Sequence, residues 1–294
     1  SKNKSLILLH LIILIWGFTG ILGKLITLPS DVIVWNRMII SFISLYVIHL
    51  FQKKINNKKS NFQLSYFLIG ILIAIHWIFF FESIKLSTVS LALICLSSVS
   101  LFTAILEPIM QKRAIRLYEV VLSIFVTIGI GVVFNYENTY STAIILAIAS
   151  AFFASIFTIL NYQLIQKGHD SLNITKWEMF GGSCVLTIYL LLNNNFNTSI
   201  IPTNMDILYI LILATICTSF AFYASIEVMK KLTPFTVNLS VNLEPIYAII
   251  LAIIIFGEQE KMSSEFYIGA CIIISTIIMN TVIKRKKKIN SNYE

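Results

Sequence analysis

Residues 138–166 read NTYSTAIILAIASAFFASIFTILNYQLIQ, a stretch without a single Asp, Glu, Lys or Arg. About 20 apolar residues in a helix cross the hydrocarbon of a bilayer, so a run of this length and character predicts a membrane span. Seven more charge-free stretches flank it, at 5–23, 60–81, 86–106, 120–136, 179–205, 207–226 and 266–283. Two others are interrupted by one charge each, Arg37 within 32–52 and Glu244 within 232–257. Ten helices of about 20 residues take up most of the chain and leave only short connections. The fold class expected is all-α integral membrane, with ten transmembrane helices and no separate soluble domain.

The composition agrees. The 294 residues are 57% hydrophobic and 12% charged, against roughly 25% charged in a typical soluble domain. Thirty-six charged side chains (22 Lys+Arg and 14 Asp+Glu) cannot cover a soluble protein of this size, which excludes an ordinary soluble enzyme. A net charge of +8 would suggest nucleic acid as a partner of a soluble chain. Here the positive residues lie between spans, so they read as topology signals and no nucleic-acid partner is expected. Cys95, Cys184, Cys217 and Cys271 all fall inside apolar runs, where they are expected as small packing residues rather than disulfides or metal ligands. The first apolar run lacks a small-residue cleavage site and reads as a true first span.

An even number of spans puts both ends of the chain on one side. That side then holds Lys2, Lys4, Lys53, Lys54, Lys58, Lys59, Lys112, Arg113, Arg116, Lys167, Lys176, Lys230, Lys231 and the run 284–288. The other side and the interior share Lys24, Arg37, Lys85 and Lys261. The excess predicts cytoplasmic termini.

The chain also repeats itself. Glu82-Ser-Ile-Lys85-Leu-Ser-Thr88 returns 145 residues later as Glu227-Val-Met-Lys230-Lys-Leu-Thr233, and at the same offset Ser100-Leu-Phe-Thr103 falls on Pro245-Ile-Tyr-Ala248. Trp35-Asn-Arg37 with Ser41 matches Trp177-Glu-Met179 with Ser183, and Trp16-Gly17 falls on Phe153-Ala154, which sets Lys24 against Asn161. A unit of five helices is odd, so its second copy enters the membrane upside down. The expected architecture is two inverted five-helix repeats, 1–136 and 137–294, with a site near the midplane between them.

At these residues the chain resembles the drug/metabolite transporter superfamily in its ten-helix EamA-type form. The resemblance rests on Trp16-Gly17, Arg37, His76-Trp77, Ile84-Lys85, Ser100-Leu-Phe-Thr-Ala104, Pro245-Ile-Tyr-Ala248 and Gly257-Glu258. The chain departs from the family where Ser100 stands in place of a frequent Pro, and where Lys112-Arg113 stand in place of Gly-Glu. The resemblance implies a multi-pass carrier of a bacterial cytoplasmic (inner) membrane, commonly an exporter of amino acids, other metabolites or drugs, with or without proton coupling, and with no cofactor.

Polar side chains are costly in hydrocarbon and are expected to face protein or a wet cavity. His76, Phe80 and Ser83 share one helix face beside Trp77, a setting that suits an aromatic or cationic solute or a proton relay. The competing reading is a histidine satisfied by a backbone carbonyl. Asn238 and Asn242 are one turn apart ahead of Glu244 and Pro245, and the proline is expected to free the carbonyl of Val241. The repeat-related face carries Ser97 and Ser98. Solute coordination and plain interhelical hydrogen bonding both fit these residues. Trp16 and Asn161 are further cavity candidates on spans 1 and 6. Glu244 and Glu107 are candidate proton carriers, with Arg37 as a further coupling or gating candidate; the alternative is a structural pair with Arg37 or with Lys112/Arg113, the reading favoured for Glu107. Glu82/Lys85 and Glu227/Lys230 are candidate gate pairs or interfacial anchors. Gly17, Gly20 and Gly23 are expected to let span 1 pack closely.

An intramembrane enzyme and a passive channel are the alternatives. No HExxH or P-loop is present, Gly181-Gly-Ser183 is not GxSxG, and Asp31, Asp170 and Asp206 lie at span edges or in loops. The sequence therefore favours a non-enzymatic secondary transporter working by alternating access. Its partners are a small amphipathic solute, the lipid bilayer and, in the coupled form, protons.

Overall fold

The computed structural model describes residues 2–56, 62–112, 114, 116–193 and 201–290, and every α- or π-helical segment among them follows an apolar run. The described residues contain no strand. Of the basic residues counted above, Lys58, Lys59 and Arg113 lie outside the described residues, as do the side chains of Lys2, Lys53, Lys54 and residues 284–288.

Three long helices open the chain: α1 (Lys2–Leu25), α2 (Ser30–Asn56) and α3 (Leu64–Leu86). The fourth apolar run is broken in two, α4 (Val89–Leu96) and α5 (Val99–Gln111), and α6 (Leu117–Tyr136) follows. The second half has α7 (Ser141–Gln166) and α8 (Ser171–Leu192). Then comes an interrupted helix: α9 (Asn204–Ala214), a π-helical turn (Thr215–Phe220) and α10 (Ala221–Val228). A second broken pair, α11 (Pro234–Val241) and α12 (Glu244–Phe256), precedes α13 (Ser264–Asn290). Among the described residues seven stretches are long and apolar enough to cross a bilayer, and α6 and α13 add shorter apolar runs, Leu117–Val133 and Ser264–Thr276. Their outward faces carry exposed Ile7, Leu11, Phe18, Ile43, Leu208 and Ile254, the surface that lipid requires.

The internal repeat is exact at the broken helices. α4 maps on α11 and α5 on α12 at the 145-residue offset, residue for residue. Thr88 and Thr233 both cap the first half by accepting from the backbone N–H three residues on. The second halves both end at a residue with positive φ, Lys112 (φ 52°) and Gly257 (φ 59°). The halves pack crosswise, α4 on α12 and α5 on α11.

Two features differ from the sequence reading. Pro245 does not loosen a continuous helix at Val241; it sits in the first turn of a new helix, where its missing N–H costs nothing. The charge-free run 179–205 also misplaces α8, which starts at Ser171 and draws Lys176 and Glu178 fully into the protein. Lys176 is therefore a buried helix residue and not a loop charge; its ammonium lies 5.0 Å from the Trp177 ring and 5.8 Å from Tyr46.

α8 is seated by glycine. A Cβ at Gly70 on α3 would lie 2.1 Å from the Glu178 carbonyl oxygen, and one at Gly181 would lie 2.6 Å from that of Phe67. The two backbones touch, with no room for a side chain between them. Gly70→Val is expected to lower the melting temperature of the purified protein by several degrees, from an overpacking cost of about 1–3 kcal/mol. Gly131→Ala, inside α6 where a Cβ meets nothing within 4 Å, is the control and should leave melting unchanged or slightly raised.

Candidate functional site

A cavity of about 770 Å³, including its mouth, lies at the level of the helix breaks. Both repeats line it: Trp16, Arg37, His76, Trp77 and Phe80 come from the first, and Asn161, Phe157, Phe222, Asn238 and Glu244 from the second. Eight of the fourteen residues singled out from sequence thus share one wall or another of this space. Ser97 and Asn242 border a smaller crevice of about 150 Å³ beside it, and Glu244 borders both.

The π-helical turn is what makes the Arg37 side possible. A widened turn lets backbone carbonyls and hydroxyls accept bonds from outside the helix. Trp16 Nε1 donates to the Cys217 carbonyl (3.1 Å), Ser41 Oγ to the Ala214 carbonyl (2.7 Å), and Arg37 Nε to Thr218 Oγ1 (2.5 Å). The guanidinium lies flat over Trp77, 3.7 Å from the ring centroid, with Phe81 at 5.7 Å. One of its nitrogens, Nη1, is buried without a hydrogen-bond partner. Glu244 interacts with Arg37 electrostatically without forming an ion pair within 4 Å. A guanidinium donor and a carboxylate therefore share a cavity among aromatic rings.

His76 is held from α7. Its Nδ1 lies 2.9 Å from the Ser150 carbonyl and 2.7 Å from Ser150 Oγ, while that hydroxyl donates to the His76 carbonyl (2.8 Å). A carbonyl can only accept, so Nδ1 carries the hydrogen and Nε2 keeps the lone pair. Phe80 stacks on the ring (centroids 6.4 Å apart, 14° between planes) and Phe157 meets it edge-on at 5.3 Å. The backbone-satisfied histidine and the cavity histidine are the same residue.

The asparagines bridge the broken helices. Asn238 Nδ2 donates to Thr103 Oγ1 (2.8 Å) and Asn242 Nδ2 to Ser100 Oγ (3.1 Å), joining α11 to α5. Ser97 and Ser98 turn back on their own chain, to the carbonyls of Leu93 (3.3 Å) and Cys95 (2.8 Å).

The remaining carboxylates sit away from the cavity, at helix ends. Glu107 accepts from the Phe235 N–H (2.8 Å) at the start of α11. Glu260, which the sequence reading passed over, does the same at the start of α4. It takes the Val89 and Ser90 N–H groups (3.1 Å each), the Ser90 hydroxyl (2.9 Å) and the Lys24 ammonium (2.6 Å). At the repeat offset Ser90 corresponds to Phe235, so each broken helix is capped at its first half by an acid from the other repeat. A carboxylate suits a helix N-terminus because it meets the unpaired N–H groups and the positive end of the dipole. Glu227 pairs with Lys230 and accepts from Ser171 Oγ, each at 2.5 Å. Lys85 instead donates to the Ile26 carbonyl (3.1 Å), and Glu82 stays half-buried. No sequence motif marks Glu260, because its partners at Val89, Ser90 and Lys24 lie 170 residues or more away along the chain.

A multi-pass helical membrane protein with an interior cavity between two repeats is the class this geometry defines. The chain belongs to the EamA-like transporter family, whose sequence model matches residues 3–135 and again 141–282. It is thus an integral membrane solute transporter of the drug/metabolite type. A solved structure titled "Crystal structure of protein" shares the fold, with a TM-score of 0.72 over 96% of this chain and 99% of its own at 15% identity. A search of curated proteins found no match.

Thr218→Val removes the acceptor of Arg37 Nε and leaves a buried guanidinium short of a partner. It should cost about 1–3 kcal/mol, seen as a lower midpoint in thermal melting of the detergent-solubilised protein. Thr215→Val, whose hydroxyl bonds only its own helix at Leu211, should change the midpoint little.

Proposed function

We propose that this protein is a secondary carrier that moves a small amphipathic organic solute by alternating access. In this reading ten helices cross the membrane as two inverted five-helix repeats, 1–136 and 137–294. Both termini lie in the cytoplasm of a bacterial cell whose inner membrane the carrier occupies.

One observation carries the reading: the cavity is walled by both repeats and sits beside the two broken helix pairs, α4/α5 and α11/α12. In transporters built from repeats, broken helices place the solute site near the midplane between the copies. The wall chemistry suggests the solute. Trp16, Trp77, Phe80, Phe157 and Phe222 offer a flat apolar body its contacts, and Arg37 Nη1 and the Glu244 carboxylate offer poles to an anionic and a cationic group. Amino acids and aromatic metabolites have this shape. The two capped helix starts are then the ends of the pathway. Glu260 with Lys24 closes the outer side, Glu107 at Phe235 closes the inner side, and rocking of the repeats breaks one as it keeps the other. A passive channel would need both ends open together, which the pair of caps opposes.

The test is uptake into proteoliposomes of a panel of amino acids and aromatic cations, with and without a pH gradient. Saturable flux of at least one member is expected. No saturable flux for any of them would overturn the carrier reading. His76→Ala should raise the half-saturation concentration roughly tenfold, the equivalent of about 1.4 kcal/mol; an unchanged value would remove His76 from the solute site.

A further inference from the structure

Glu178 has no role in the cavity chemistry described so far, yet it is among the most completely enclosed polar groups of the chain. Its exposure is 0%, and neither carboxyl oxygen has a hydrogen-bond partner. The Asn161 amide on α7 is close enough to act on the carboxyl, yet the two do not meet in hydrogen-bonding geometry. Asn161 is 1% exposed, its amide oxygen and nitrogen are likewise unpartnered, and it lines the central cavity. Two buried, unsatisfied groups thus stand in line behind the cavity wall.

Among the described residues no cation forms an ion pair with Glu178. From α3, Tyr66 lies in the field of Glu178, and its hydroxyl is 2.6 Å from His169 Nδ1 in the turn before α8. Asp170 of the same turn also acts on Tyr66. From α2, Met38 fills the space beside Gly182. On α8 itself the Lys176 ammonium is turned between the Trp177 and Tyr46 rings. The repeat sharpens the contrast. Asn161 corresponds to Lys24, and Lys24 neutralises the equally enclosed Glu260. Where one buried acid meets an ammonium, the other meets a neutral amide. An ionised carboxylate without a donor costs far more in such a place than the neutral acid does. Two side chains offer too few oxygens for a metal cation.

We infer that Glu178 is a proton-binding site of the carrier, coupled to the cavity through Asn161. This rests on the carrier reading above and deepens it. With the solute site in one arrangement, Glu178 keeps its proton behind Asn161. When α7 and α8 repack around the cavity, Asn161 or water takes up the bond and the proton leaves as a hydronium. Tyr66 and His169 provide hydroxyl and imidazole groups on the way to the inner surface.

The experiment uses the full chain in liposomes, with carboxyl-labelled glutamate and infrared difference spectroscopy against Glu178→Gln, which keeps the size and hydrogen bonding of the neutral acid. A protonated carboxyl C=O band at neutral pH, lost in Glu178→Gln, is expected. Superimposable spectra would overturn the inference. In the flux assay with the same panel, Glu178→Gln should lose its response to a pH gradient while keeping solute exchange at equal pH. A gradient response equal to that of the unsubstituted protein, or indifference of the unsubstituted protein to the gradient, would overturn the coupling. Absence of any flux would count against the carrier reading alone, because the infrared measurement requires no solute.

Discussion

Inside a bilayer every backbone N–H and C=O must find its partner within the protein, and this protein breaks three of its membrane helices. Most of what is distinctive in the structure answers that one constraint. Glu260 and Glu107 satisfy the N–H groups exposed where α4 and α11 begin. Trp16 and Ser41 take up carbonyls loosened by the π-helical turn. Asn238 and Asn242 tie α11 to α5 across the breaks. These partners come from other helices or from connections far along the chain, so much of the repair is also tertiary structure.

The same constraint explains why the cavity is where it is. Irregular backbone is tolerated at membrane depth only against protein or a water-lined space. The cavity is lined by Leu96, Val99, Val241 and Glu244, beside the breaks at 97–98 and 242–243, and by Trp16 and Arg37, which bond the π turn. Side chains that repair the backbone then have a second face left over. Trp16 has its indole N–H tied down and its ring on the cavity, and Arg37 has one nitrogen on Thr218 and another without a partner. Fixing a binding group through one of its atoms and presenting another is a form of preorganisation.

Much of this was legible in the sequence because hydropathy and charge run with long periods. The runs of apolar residues gave most of the helices, and Glu82 to Thr88 against Glu227 to Thr233 gave the repeat that the two capped helix starts now display atom by atom. Arg37, His76 and Glu244 stood out as polar residues in apolar company and do line the cavity. What escaped was local and backbone-borne. Nothing in Thr215-Ile-Cys-Thr-Ser-Phe220 announces a π turn, because its hydroxyls also suit an ordinary helix. The start of α8 escaped because Lys176 and Glu178 interrupt the apolar run, whereas the helix holds both inside against α3. Glu260 escaped because its partners are amides of residues far along the chain.

The central claim is that the two repeats open the cavity to one side at a time, with the Glu260–Lys24 cap as the outer closure. The most direct measurement places a cysteine at Ser225, which lines the cavity, in a background without other cysteines, and reacts it with an impermeant maleimide from each face of oriented vesicles. A second pair of cysteines at Lys24 and Glu260, masked during that step and bridged by a short cross-linker, locks the outer cap. The account predicts labelling from both faces when the cap is free, and from the cytoplasmic face only when it is locked. Labelling from the outer face that persists in the locked protein would contradict it.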